Sequence, residues 1–164
     1  LARQAKSFRL RVRMPARWRR PTRRRRTLKI PSKGLLPEAL MLGIPHIDAQ
    51  HEEIFYRIEA LKDACVENGT LPDDMADELL DFLRIHFASE EDCAREAGVD
   101  FVEHGHVHTA TLETLAQWVH RVRSGRADVF SLLRYLEIWF ERHIVNEDQP
   151  LGRMIHAARP APGD

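Results

Sequence analysis

The chain has 164 residues, 43% of them hydrophobic, and is formally neutral, with 25 basic and 25 acidic side chains. That size suits one domain with its own core. No stretch approaches the roughly 18 apolar residues of a membrane span, and nothing resembles the apolar segment of a signal peptide. Neutrality conceals an asymmetry. Residues 1–35 carry fourteen Lys or Arg and no Asp or Glu, so the remainder holds eleven basic against twenty-five acidic groups and is strongly acidic. Cys65 and Cys93 fall in no zinc or redox spacing. They read as ordinary buried thiols of a protein in the reducing cytoplasm.

In chain order, residues 1–35 combine high charge with three prolines and little apolar periodicity, and are expected to be a disordered Arg-rich extension. Any contact with nucleic acid or an anionic surface would run through this segment, although blocks of like charge are more often solvated tails. Residues 36–155 are expected to form the folded body, and residues 156–164 a tail. A first helix starts near Asp48, taken as its N-cap, and runs to Asn68-Gly69, with Ile47, Ile54, Ile58, Leu61 and Cys65 on one seam. His51 fills the gap in that seam. A second follows "LPDD" and ends by Gly98; its seam is Leu79, Leu83, His86 and Glu90.

A third helix runs from about Glu103 to Ser124-Gly125 with Leu112, Leu115, Val119 and Val122 on one face, which extends backwards to His108 and His104. At 100° per residue these two imidazoles are about 40° apart, whereas His106 points roughly the opposite way. The fourth begins near Asp128 and carries Leu132, Leu136 and Trp139 toward His143; Pro150 and Gly152 are expected to close it, with "LGRMI" available to add a short capping turn. Four such helices with short loops predict an all-α, antiparallel up-down-up-down four-helix bundle.

The polar residues on these seams share a height. His51 is early in the first helix, His86 and Glu90 are late in the second, His104 and His108 open the third, and His143 is late in the fourth. An antiparallel bundle brings all six to one end of the core. Separately buried imidazoles would each need a partner, and the carboxylates would oppose desolvation; a bound cation answers both. Imidazole with carboxylate and no thiolate suits iron, zinc or copper, and five histidines exceed one tetrahedral zinc, so two ions are implied. The ExxH pairs of ferritin-like di-iron bundles are absent here except Glu103 with His106, on the wrong face.

The stretches "GIPHIDAQHEEIF", "HFASEED", "HGHVH" and "WFERHIVNED", with the intervals between them, resemble a bacterial hemerythrin, of the HHE-type cation-binding family, from about Leu36 to Gly152. The resemblance implies an oxo- or hydroxo-bridged centre of two iron ions, one held by His104, His108 and His143, the other by His51 and His86, with Glu90 and Asp148 bridging. It leaves one position open on the iron with two histidines, where dioxygen binds reversibly, and it implies an oxygen-consuming recipient protein as a further partner. Ile54, Phe55, Phe87 and Trp139 are candidates for excluding water. Asp148 lies five residues past His143, about 140° off its face in a regular helix, whereas Glu147 is nearly aligned; the family's spacing requires the helix to distort or end there, as Pro150 allows. Cys93, in place of a common methionine, and the loop "GVDF" depart from the family pattern without supplying a ligand. His46, His120 and His156 are expected at the surface. No dedicated acid, base or substrate pocket is legible, so oxygen storage, transport or delivery is expected, not enzymatic turnover. An oxygen or redox sensor, or an iron-handling protein using the same centre, is the alternative.

Overall fold

Pro45 opens the first helix of the bundle because its fixed φ is already helical and the first turn has no use for its missing N–H. In the computed structural model, which describes residues 36–158, a 3-10 turn at Glu38–Leu40 precedes five α-helices. They are α1 (Pro45–Asn68), α2 (Asp73–Ala97), α3 (Val102–Arg123), α4 (Val129–His143) and α5 (Gln149–Ala158), the last two joined by a π turn at Ile144–Asp148. Helices α1 to α4 form the antiparallel bundle: α1 packs on α2 and α4, and α3 packs on the same two. The extension at 1–35 and the tail beyond 158 lie outside the described residues. Among those described, no helix is long and apolar enough to cross a membrane.

Helix starts differ from the sequence expectation in one place. Asp48 is not the N-cap of α1; Ile44 is, and Asp48 lies one turn inside. Its carboxylate reaches back to accept from the Leu42 and Gly43 backbone N–H groups at 2.7 and 3.0 Å, tying down the chain before Pro45. Asp128 does cap α4, accepting from the Ser131 backbone N–H at 2.9 Å. Helices α1 and α2 end at Gly69 and Gly98, with φ of 69° and 68°, a left-handed turn that glycine adopts without steric cost.

The expected closure at Pro150 and Gly152 does not occur. The chain instead widens into one π turn, its Gln149 N–H reaching the Ile144 carbonyl five residues back, and then continues as α5 for ten residues. Pro150 is accommodated because it is the second residue after that turn, where the hydrogen-bond register has already shifted. Leu151 and Ile155 on α5 are buried against Ile44 and Ile47 of the first helix segment and Cys93 and Ala94 of α2.

A second and larger apolar cluster fills the other end of the bundle: Ile54, Ile58, Leu61, Leu79, Leu83, Leu115, Val119, Leu132, Leu136 and Phe140. Fully burying each Leu or Ile side chain contributes about 1.5–3 kcal/mol. Between the two clusters lies a polar layer. Along α1 the order is Ile47, His51, Ile54, and along α2 it is Phe87, Glu90, Cys93, so the imidazoles and carboxylates are walled by hydrocarbon above and below.

Candidate metal centre

Each helix delivers its polar side chains to that layer for a local reason. His51 and His86 occupy seam positions of α1 and α2 and are fully buried; Glu90 follows His86 by one turn and is 1% exposed. His104 and His108 open α3 one turn apart, while His106 is exposed, as the helical phase requires. His143 ends α4, and the π turn rotates Asp148, not Glu147, inward: Asp148 is 0% exposed and its Oδ1 is 3.1 Å from His143 Nε2. All seven residues named from the sequence converge. His46, His120 and His156 are exposed, although His46 Nε2 lies 3.0 Å from Cys93 Sγ and His156 Nε2 donates to the Leu42 carbonyl at 2.9 Å.

The two carboxylates are shared between two unequal groups of imidazoles. Glu90 turns Oε1 toward His86 and His51, at 3.6 and 3.9 Å, and Oε2 toward His108 and His104, at 3.2 and 3.6 Å. Asp148 repeats the division: Oδ2 is 3.2 Å from His51 Nε2, and Oδ1 faces His143 and His104, the latter at 3.4 Å. The donor atoms of Glu90, His104, His108, His143 and Asp148 lie within 4.8 Å of one another, as do those of His51, His86, Glu90 and Asp148. One compartment thus offers three imidazoles and two carboxylate oxygens, and the other offers two and two.

Among the described residues, no hydrogen bond satisfies these atoms. The Nε2 atoms of His51, His86 and His104 and all four oxygens of Glu90 and Asp148 are buried without a hydrogen bond of acceptable geometry. An unsatisfied buried polar atom costs about 1–3 kcal/mol, and an ionised one more, so seven together in a small core require an occupant. Neutral imidazole nitrogens and carboxylates are the donor set of a borderline transition-metal cation. The residues fit such an ion, and the doubled arrangement fits two.

The proton affinities agree. Burial pushes His86 down to about 4, the pull of Glu90 notwithstanding, so its ring is neutral at pH 7. His108 is also lowered, chiefly by burial. For Glu90 and Asp148, burial favours the protonated form, and Asp148 further opposes the Glu90 charge. Contact with the imidazoles, led for each carboxylate by His104, outweighs this and holds both groups below the ordinary carboxylate value. His104 runs the other way: despite burial, Asp148 and Glu90 raise it to about 9 in the metal-free protein. A cation would displace that proton.

Aromatic rings pack on the imidazoles. Phe87 stacks on His108 with centroids 3.7 Å apart, Phe101 on His104 at 4.9 Å, and Trp139 on His143 at 5.4 Å. Phe140, completely buried, meets His51 edge-on at 5.7 Å, with Ile54 beside it in the core. A cleft of about 600 Å³ between α3 and α4 is lined in part by Val107, Thr111, Tyr135, Trp139 and His143. Phe101 and Phe140 were not singled out from the sequence. Phe140 had a readable signal, since Leu136, Phe140 and His143 follow one another at helical spacing; Phe101 lies in the loop before α3 and had none.

An all-helical bundle with a buried, two-compartment imidazole and carboxylate cluster defines a helical cation-binding protein. The model of the hemerythrin HHE cation binding domain matches residues 42–155, and the chain belongs to that family. Among similar proteins, the bacteriohemerythrin of Stenotrophomonas maltophilia (strain R551-3) is 31% identical over 123 residues, covering 72% of this chain and 78% of that protein. The bacteriohemerythrin of Pseudomonas aeruginosa (strain UCBPP-PA14) is 31% identical over 112 residues, covering 66% and 72%, and that of Methylococcus capsulatus (strain Bath) 29% over 113 residues, covering 67% and 86%.

Proposed function

We propose that this chain holds two iron ions and binds dioxygen reversibly, for storage, transport or delivery to an oxygen-consuming recipient, without catalytic turnover. The observation that carries the reading is the division of Glu90 and Asp148, each presenting one oxygen to the three-histidine group and the other to the two-histidine group. His104, His108 and His143 would hold one ion, His51 and His86 the other, and the two carboxylates both. A ferrous pair held there supplies the two electrons that reversible dioxygen binding requires.

The protein's own part is to position and to shield. The compartment of His51 and His86 contributes four donor atoms against five in its neighbour, which leaves room there for a small exogenous ligand. Fully buried Ile54 and Phe140 flank that side and keep bulk water from it. Cys65 and Cys93 are buried thiols, as suits a reducing cytoplasm. The test is anaerobic loading of the full chain with ferrous iron, followed by oxygen with optical readout. An oxygen-dependent charge-transfer band that vanishes under vacuum supports the proposal. Irreversible oxidation, or rapid turnover of peroxide or nitric oxide, refutes it in favour of sensing, iron handling or catalysis.

A further inference from the structure

The two-histidine compartment is served by a chain of hydrogen bonds outside the cluster. His86 Nδ1 lies 3.1 Å from Gln50 Oε1; Gln50 Nε2 donates to Ser89 Oγ at 2.9 Å; and Ser89 Oγ donates to the Ile85 carbonyl at 2.9 Å. The polarity of this chain is determined from its far end. The Ser89 hydroxyl donates its single proton to the Ile85 carbonyl, one turn back in α2. Ser89 then offers only lone pairs to Gln50, which must turn its NH₂ toward Ser89 and its carbonyl oxygen toward His86. That oxygen also can only accept. The His86 proton is therefore on Nδ1, and the Nε2 lone pair points at Glu90 and the cluster. His51 has no such help, since its Nδ1 is buried without a partner among the described residues.

We infer that Gln50, oriented by Ser89, is a positioning residue that sets the His86 tautomer and so prepares the two-histidine compartment to accept its metal ion. The inference rests on the two-ion reading for its consequence, but the tautomer itself belongs to the metal-free protein. Removing the acceptor leaves Nδ1–H buried without a partner and lets the proton move to Nε2, where it blocks metal ligation.

The experiment compares wild type with Gln50→Leu, Gln50→Glu and Ser89→Ala. Nitrogen-15 NMR of the metal-free chains at pH 7 reads which His86 nitrogen bears the proton, and anaerobic competition between ferrous iron and a chelator reads the affinity of each ion. Expected are an Nδ1 proton in wild type and, in Gln50→Leu, migration of that proton with a loss of about 10–100-fold in affinity for one ion while the other is retained. Gln50→Glu, which keeps an acceptor, restores tautomer and affinity; Ser89→Ala, which frees the amide to turn over, loses less than Gln50→Leu. A wild-type proton on Nε2 overturns the inference. So does a Gln50→Leu protein whose tautomer and second-ion affinity are unchanged. Wild type that takes two ions but no oxygen refutes the carrier reading alone.

Discussion

The two halves of this bundle solve the problem of a buried interior in opposite ways. The half containing Ile58, Leu61, Leu83 and Leu132 is closed by hydrocarbon alone, and its stability needs nothing from outside the chain. The half containing His51, Glu90 and Asp148 gathers polar atoms that no hydrogen bond among the described residues satisfies, and is suited to a cation that completes it. The same seam positions of the same helices serve both, so folding and binding are separable along the bundle axis. A defect in one half should leave a signature that a defect in the other does not.

The largest contrast is in metal content. His104→Ala should lose the ion of the three-histidine compartment while His106→Ala keeps both, as measured by metal per chain; equal loss would mean that the facing of α3 has been misread. Next comes Leu132→Ala, at a position with no solvent exposure. It should lower unfolding free energy by about 2–5 kcal/mol in denaturant titrations, with metal present or stripped. A loss that appears only in the metal-bound form would tie the two halves together.

Acid should act chiefly on the polar half. In the metal-free protein the folded His86 sits near 4 against an ordinary 6.5, so its contribution is complete above 6.5 and fades as pH falls toward 4. Glu90 and Asp148, also held low, lose theirs at still lower pH, whereas His104, raised to about 9, contributes below 6.5 and loses its share as pH rises through 9. Unfolding free energy of the stripped protein should therefore decline on both sides of neutrality, and Leu132→Ala should shift that profile downward without changing its shape. The smallest effect is Asp128→Ala, which removes the cap of α4 at the apolar end; it should lower unfolding free energy slightly and leave metal uptake untouched.

Much of this division was readable in advance, because the helical period assigns a face to every residue. The gap in the α1 seam filled by His51, the pairing of His104 with His108, and the outward His106 all follow from 3.6 residues per turn. Asp148 was readable only against that period, since a regular helix would have turned Glu147 inward; the family's spacing and the nearby proline were the cues. Pro150 misled in the other direction by suggesting an end where the chain continues, because a proline after a widened turn no longer breaks a bond. Asp48 looked like a cap because it is a short acid before an apolar seam, and only the tertiary contact to Leu42 and Gly43 distinguishes the roles. The Gln50–Ser89 relay crosses two helices and has no signal in either one.

The π turn makes the end of α4 and the docking of α5 a single event. Its extra residue brings Asp148 beside His143 and, by the same offset, sets the phase at which Leu151 and Ile155 meet Ile44 and Ile47. Deleting one residue from 144–147 would restore an ordinary helix and rotate everything downstream by about 100°. The carboxylate would swing away and the last helix would present its oily stripe to solvent, so a shortened version of this segment loses its ligand and its lid together.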